Sequence, residues 1–301
     1  MSENKKVLFI INKYAGTGYQ SSVDGRIVSV CEALNIEPTL EFTQRRTHAT
    51  ELAQQAALSK KFDIVFAVGG DGTVNEIAQG LVHTEQIMGI LSKGSGNGLA
   101  RHLGIPMDFK KSLELIGSPF SISMDSFLIN NKLSVNVSGI GFDGHVAGLF
   151  ANKEKRGLIG YSKLVLKEFH SFHEFSIEIV IDHTTYKREA FVLAFANSSQ
   201  FGNNARVSPH ASVCDGVLDV CFIRKVPIAQ TIGFVQKLFT GQIEKSSWVD
   251  IVRAKHLTLS FDRPMPYHVD GEAMKPERNF SITVLPASIT MVVPKGSANR
   301  I

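Results

Sequence analysis

The sequence predicts an α/β fold for its N-terminal part and an antiparallel β fold for the remainder. Three observations carry this. Strand-sized apolar runs alternate with helix-periodic segments through about residue 105. Glycine-bearing turns follow the apolar runs that end at Ile11, Val68 and Leu91. After Pro106 short alternating runs take over, separated by Gly, Asn, Asp and Pro. A chain of 301 residues has room for two domains of ordinary size. The boundary is placed near 130, with residues 1–130 as the α/β domain and 131–285 as the β domain. Residues 286–301 are read as returning to the first through a last strand, Ser288 to Val293.

Val7 to Ile11 reads as a first buried strand, and Asn12-Lys13-Tyr14-Ala15-Gly16-Thr17-Gly18 as a loop on the ligand side of the sheet. This loop is not a Walker A sequence, because no Gly-Lys-Ser/Thr closes it. It is not Gly-x-Gly-x-x-Gly either, since Ser21 stands where the third glycine belongs. A helix is predicted over Ser22–Leu34 and a strand over Thr39–Thr43. The next helix, His48–Lys60, has Ala49, Leu52, Ala53, Ala56 and Ala57 on one face. Asp63 to Val68 is a further buried strand. A helix with Val74, Ile77, Ala78, Leu81 and Val82 on its apolar face follows, and Thr73 and Glu76 have the capping-box spacing for its start. Ile87–Leu91, the turn Ser92-Lys93-Gly94-Ser95-Gly96-Asn97-Gly98 and a short helix Leu99–Leu103 complete this part. The strands expected in the β domain are Ser121–Ile129, Leu133–Val137, Phe175–Ile181, Arg188–Ala196, Val217–Ile223, Leu257–Phe261 and Phe280–Leu285.

A hydrophobic content of 44% with 20% charged residues describes a chain able to build a real core. The net charge of +4 suits an acidic ligand or an anionic membrane surface but is too small to argue for nucleic acid. Cys31, Cys214 and Cys221 are scattered and in no metal-ligand spacing, which points to a reduced, cytosolic setting with structural cysteines. The first apolar run is too short for a signal peptide or a membrane span, so contact with a membrane is expected from the water side. Lys153 to Phe169 reads as a basic amphipathic segment, either a solvated helix on a core or one that rests on an anionic bilayer.

The chemistry centres on Gly69-Gly70-Asp71-Gly72-Thr73-Val74-Asn75-Glu76. A strand that turns through glycines into a helix aims several N–H groups and the positive end of the helix dipole at one point, which suits a phosphate. Asp71 would repel a phosphate unless it holds a cation or takes a proton, so it suggests metal-assisted phosphate chemistry. A tight turn with Asp71 as a local cap is the plain alternative. Ligands in parallel sheets sit beyond the carboxyl ends of the strands, and three glycine turns on one such edge favour the phosphate reading.

Gly69-Gly70-Asp71-Gly72-Thr73, Gly94-Ser95-Gly96-Asn97 and Val269-Asp270-Gly271-Glu272 together resemble the diacylglycerol kinase catalytic family, which includes sphingosine kinases and bacterial lipid kinases. The resemblance extends over nearly the whole chain through Thr43 with His48-Ala49, Gly141-Phe142-Asp143-Gly144 and Asp215-Gly216-Val217-Leu218-Asp219. It implies an NAD kinase/phosphofructokinase-like nucleotide-binding domain, a C-terminal β-sandwich and an active site in the cleft between them. It further implies ATP as phosphate donor, Mg²⁺, and a lipid hydroxyl as acceptor at a membrane surface; a homodimer is compatible. Asn12, Thr43, Gly70, Asp71, Gly72, Thr73, Val74, Asn75, Glu76 and Ser95 match ATP-contacting positions. Glu272 matches the proton acceptor, and Asp71 and Asp270 are its companions or competitors as catalytic carboxylates. Asp125 and Asp143 are further candidates for the cleft, with turn residues as their alternative. The carbonyls of Ser212 and Val217 and the carboxylate of Asp215 match a structural Mg²⁺ loop. Gly94 to Ala100 looks more like the sphingosine-kinase version of its motif, which leaves the acceptor lipid open between diacylglycerol and a sphingoid base. The Gly-Gly-Asp-Gly turn is shared with NAD kinases, so a soluble acceptor, or a nucleotide sensor without catalysis, stands as the alternative.

Overall fold

The structure is a computed structural model that describes residues 4–16, 22–151, 165 and 167–297. The chain forms two compact units, Met1–Asp125 with Pro286–Ile301, and Ser126–Leu285.

The first unit runs β1 (Lys5–Ile11), α1 (Ser22–Ala33), β2 (Ile36–Phe42), α2 (His48–Ser59), β3 (Ile64–Gly69), α3 (Asp71–Leu81), β4 (Ile87–Ser92), α4 (Gly98–His102) and α5 (Phe109–Leu113). Its strands pair in parallel in the order β2-β1-β3-β4, and Thr290 and Met291 add a fifth parallel strand beside β4. Every residue of β3 is buried, as a strand covered on both faces requires. Phe9 and Phe66 stack between β1 and β3, ring centroids 5.6 Å apart. Because β1 lies between β2 and β3, the chain leaves it in one direction and returns on its other side. The mouth between the ends of β1 and β3 is therefore the switch point at which such sheets bind ligands. Strand β2 starts at Ile36, three residues before the expected Thr39, because Ile36 and Glu37 pair with Lys5 and Lys6. Pro38 obscured this strand, and its edge position is where a proline is tolerated.

The capping-box expectation at the start of α3 fails. The helix begins at Asp71, with Gly70 as its cap and no side-chain cap bond. Thr73 Oγ1 instead accepts from Asn12 Nδ2 at 3.0 Å, and Glu76 Oε2 accepts from the Ala49 N–H at 3.3 Å. Both side chains found partners distant in sequence, which spacing does not reveal.

The chain continues with β5 (Phe120–Ile129), which runs from the first unit into the second, then β6 (Lys132–Ser134), β7 (Val137–Gly141), α6 (Phe142–Ala151), β8 (Phe175–Ile181), β9 (Thr184–Ala190), β10 (Val192–Ala196) and β11 (Leu218–Ile223). Helix α7 (Ile228–Thr240), β12 (Val249–Ala254), β13 (His256–Met265), β14 (Tyr267–Val269), β15 (Glu272–Ala273) and β16 (Glu277–Val293) follow. One antiparallel sheet has the order β12-β11-β10-β7-β14-β15, and the other is built around β9-β8-β13-β16. Alternate residues of β8 point inward, Phe175, Ile177, Ile179 and Ile181. They share a core with Ile140, Leu193, Phe195, Val220 and Phe222 of the facing sheet, which makes a sandwich. The two fold classes expected from sequence are thus present, α/β first and antiparallel β sandwich second.

Four of the expected strands differ from expectation for identifiable reasons. Leu133–Val137 is interrupted because the Val135 and Asn136 N–H groups bond to the Asp270 carboxylate instead of a neighbouring strand. Arg188–Ala196 is two strands, since the chain changes sheet at Phe191. The last two expected strands are one 17-residue strand with an irregular step at Ala287, φ 49°. The basic segment Lys153–Phe169 lies for most of its length outside the described residues.

Candidate active site

In the first unit, the loops after β1, β3 and β4 are tied to one another by specific bonds. Asn12 donates its N–H to the Val68 carbonyl at 3.0 Å and its side-chain amide to Thr73. Its Oδ1 accepts the Tyr14 N–H at 2.9 Å, which closes the loop on itself. Thr43 follows directly on β2, and its N–H donates to the Ile11 carbonyl at 3.0 Å, so it stands beside the same strand end. Asp71 reaches across to the next turn, where Oδ2 accepts the Asn97 N–H and Oδ1 the Gly98 N–H, each at 2.8 Å. Gly70 and Gly94 lie so close that a Cβ on Gly94 would stand 2.7 Å from Gly70 Cα. A Cβ on Gly72, by contrast, would meet nothing within 4 Å. The Val74 N–H makes the first bond of α3, to the Gly70 carbonyl at 3.1 Å. Gly72 and Thr73 therefore present their amides at the positive end of an 11-residue helix. Ser95 is exposed in the turn. Val74 and Asn75 are buried and Glu76 bonds to α2, so these three face the interior of the unit.

In the second unit, Asp270 and Gly271 form a two-residue turn between paired Val269 and Glu272. Both have positive φ, 47° and 85°, as a type I′ hairpin turn demands and as Asp-Gly favours. The Asp270 carboxylate accepts from Ser134 Oγ, from the Val135 N–H at 3.0 Å and from the Asn136 N–H at 3.1 Å. The Asp270 N–H donates to Ser138 Oγ at 3.2 Å, which in turn donates to Ser134 Oγ at 2.9 Å. His268 braces the same turn. Its Nδ1 accepts the Gly271 N–H at 3.0 Å, so the ring proton of the neutral imidazole is on Nε2, which donates to Asp143 Oδ2 at 3.1 Å. Glu272 is left exposed on the rigid turn. Asp143 belongs to the first turn of α6 and not to a glycine turn, and the Ala287 N–H donates to Asp125 at 2.7 Å.

The loop before β11 carries Ser212, Asp215 and Val217, the residues expected to hold a cation. Asp215 Oδ1 accepts the Val217 N–H at 3.2 Å, Ser212 Oγ accepts the Cys214 N–H at 3.2 Å, and Gly216 has φ 72°. Asp215 Oδ2 lies 3.9 Å from Arg253. Among the described residues no group of three or more His, Cys, Asp or Glu side chains is poised to hold a metal. A site of one carboxylate and backbone carbonyls is of another kind, suited to a hard cation. Next to this loop Asp219 is buried. Burial pushes its carboxyl above the ordinary carboxylate value, opposed by the Ser208 hydroxyl at 2.6 Å and by Arg253 at 3.6 Å.

Sequence reasoning missed the Asn97 and Gly98 amides, Ser134, Ser138 and His268. Their bonds to Asp71, Asp270 and Asp143 span 26 to 136 positions, and no local pattern marks them.

Comparison with known proteins finds a matching family over most of the chain. The diacylglycerol kinase catalytic domain profile matches residues 6–128, and the YegS C-terminal NAD kinase beta sandwich-like domain profile matches residues 136–293. A Bacillus subtilis protein named diacylglycerol kinase is 24% identical over 273 residues, 89% of this chain and 90% of that one. A Pectobacterium atrosepticum protein named "Probable lipid kinase YegS-like" is 27% identical over 303 residues, 98% of each chain. The crystal structure of a diacylglycerol kinase from Bacillus anthracis str. Sterne superposes with a TM-score of 0.75 at 22% identity, covering 99% of this chain and 100% of that one. This chain belongs to the diacylglycerol kinase catalytic-domain family, with a second unit of the YegS C-terminal type.

Proposed function

We infer that the protein is an ATP-dependent lipid kinase that transfers the γ-phosphate of ATP to a hydroxyl of diacylglycerol or a related lipid, acting from the cytoplasmic side as a peripheral protein. The observation that carries the reading is the Asp71 brace, which joins the turns after β3 and β4 into one amide-rich edge at the start of α3. A donor edge of this kind, open at Gly72, suits a polyphosphate without a Walker lysine. Asn12, Thr43, Gly72, Thr73 and Ser95 are assigned to the nucleotide. Asp71 is the carboxylate of this edge that suits a Mg²⁺ ion, which when bound screens the phosphate charge.

Glu272 is assigned as general base. The alcohol oxygen bonds to the γ-phosphorus as the bond to the bridging oxygen of ADP breaks, and Glu272 takes the alcohol proton. Asp270 and His268 serve by fixing the turn on which Glu272 stands. Ser212, Asp215 and Val217 are assigned to a separate structural Mg²⁺.

The test is phosphate transfer from Mg²⁺-ATP to a panel of diacylglycerol, monoacylglycerol, sphingoid base, ceramide, phosphatidylglycerol and NAD. Transfer to diacylglycerol is expected, with at least a hundredfold loss in Glu272→Gln, the scale of removing a general base (~10²-fold or more). Preference for the sphingoid base would move the acceptor to the sphingosine-kinase side. Transfer to NAD alone, or to nothing, would overturn the lipid-kinase reading.

A further inference from the structure

Helix α6 starts against β14, the strand that leads into the Asp270-Gly271 turn. The Gly141 N–H donates to the Pro266 carbonyl at 2.9 Å, and a Cβ on Gly144 would stand 2.5 Å from Tyr267 Cα. A Cβ on Gly139 of β7 would stand 2.0 Å from Asp143 Oδ2, so the carboxylate fills the space that this glycine leaves. These close approaches set Asp143, in the first turn of α6, beside His268, which pairs with Gly139 across the sheet. Both side chains are withdrawn from water, at 13% and 5% exposure, and the Phe201 ring lies 6.2 Å from the imidazole.

The two oxygens of the Asp143 carboxylate have separate duties. Oδ1 accepts the Gly144 N–H at 2.8 Å, and Oδ2 faces His268 Nε2 at 3.1 Å. On the far side of the ring, Nδ1 faces the Gly271 N–H at 3.0 Å. A backbone N–H can only donate, so Nδ1 is the bare nitrogen and Nε2 carries the proton. That tautomer needs a pure acceptor opposite Nε2, and a carboxylate is one. An amide in its place would act differently. The Gly144 N–H would hold the amide oxygen at the Oδ1 position, leaving the NH2 group to face Nε2. The ring proton would then move to Nδ1, where it meets the Gly271 N–H donor to donor. The bond that braces the residue next to Glu272 would be lost with almost no change in side-chain size.

We propose that Asp143 is a positioning residue for Glu272 that acts through His268: its carboxylate selects the imidazole tautomer that holds Gly271. The inference rests on the reading of Glu272 as general base for its purpose, and on the bonds from Asp143 through His268 to Gly271 for its geometry.

The test joins nitrogen NMR of the histidine rings to kinetics with Mg²⁺-ATP and diacylglycerol. The His268 signal, one of ten, is assigned by its loss in His268→Asn. The wild type is expected to show the Nε2–H form and a Gly271 amide slow to exchange with solvent. Asp143→Asn should show the Nδ1–H form and at least about tenfold faster Gly271 exchange. Its kcat should fall at least about tenfold, since a displaced catalytic group or a wrong tautomer costs that much or more. KM for ATP should stay unchanged, because the nucleotide edge belongs to the first unit. Adding His268→Asn to Asp143→Asn should restore part of the lost kcat. The asparagine Oδ1 takes the place of Nδ1 as acceptor for Gly271, and it carries no hydrogen. An Nδ1–H ring in the wild type, a measurement that needs no variant to fold, would overturn the proposal. So would unchanged kcat in Asp143→Asn, or a double variant no faster than Asp143→Asn alone. The expected spectra from a chain that transfers phosphate to no acceptor would keep the tautomer argument and overturn the kinase reading.

Discussion

Asp71 shows how a residue prominent in the sequence acquires a different meaning in the fold. Its type and its glycine neighbours were legible, but its two acceptors serve amides 26 and 27 positions away. Replacing it with alanine leaves two donors without their acceptor, at about 1–3 kcal/mol each. Activity lost on that change would therefore mix chemistry with structure. The cysteines divide similarly: Cys31 and Cys221 are buried, and burial pushes the Cys31 thiol up to about 11, while Cys214 is exposed. Asp219 carries a pH prediction. Burial raises its carboxyl above the ordinary 3.8, so the folded chain binds this proton more tightly than the unfolded chain. As pH rises from 3.8 through the raised value, the unfolded state has released the proton and the folded state has not, so stability is lost across that window. Asp219→Asn carries no such charge and keeps an acceptor for Ser208. Its melting temperature relative to wild type should therefore climb with pH through the acid range and then level off. A difference that stays flat or declines with pH would show that burial does not govern this group.

At the level of elements, periodicity served well where burial is one-sided and local, as in β8 and α2, whose observed bounds lie within a residue of the reading. It failed where tertiary partners decide. The break between β6 and β7 exists because Asp270 claims two amides, and the start of α3 is set by Gly70 while Thr73 and Glu76 bond elsewhere. Helix α7 is written in the sequence as Ile228, Ile232, Val235 and Phe239 at helical spacing, but its place amid short strands masks the pattern. The turns around α3 lead to a paired prediction. In Gly94→Ala the new Cβ would stand 2.7 Å from Gly70 Cα, a backbone neighbour that must move. A cost of about 1–3 kcal/mol is expected, with a lower melting temperature and weaker ATP binding. Gly72→Ala meets open space in the first helical turn and should melt at or slightly above the wild-type temperature, since alanine favours helix. If phosphate approaches the α3 amides, its ATP affinity in calorimetry should still fall. Unchanged affinity in Gly72→Ala would move the phosphate away from this helix.

Across the whole molecule, the order of element types was legible because parallel and antiparallel layers impose different hydrophobic periods. The sandwich partners and the strand orders were not, since they depend on pairings between distant segments such as Thr290 with Ile87. That pairing makes the first unit discontinuous in sequence and gives a test of how far its core depends on the C-terminus. Ile289, Met291, Val292 and Val293 are 0–1% exposed within it, and Met291 pairs with Met88, itself fully buried. Burying each such side chain is worth about 1.5–3 kcal/mol, or about 6–12 kcal/mol for the four. A typical domain has only about 5–15 kcal/mol in total, so their loss removes most or all of the stability of the unit. A chain ending at Leu285 should accordingly lose cooperative melting of the parallel unit, with a fall in helical circular dichroism, because α1, α2 and α3 belong to it. The milder change Met291→Ala should keep the fold and cost about 2–5 kcal/mol, as other large-to-small core substitutions do. If the shortened chain melted cooperatively within a few degrees of the full one, or Met291→Ala were neutral, the last strand would be an accessory to this core and not one of its members.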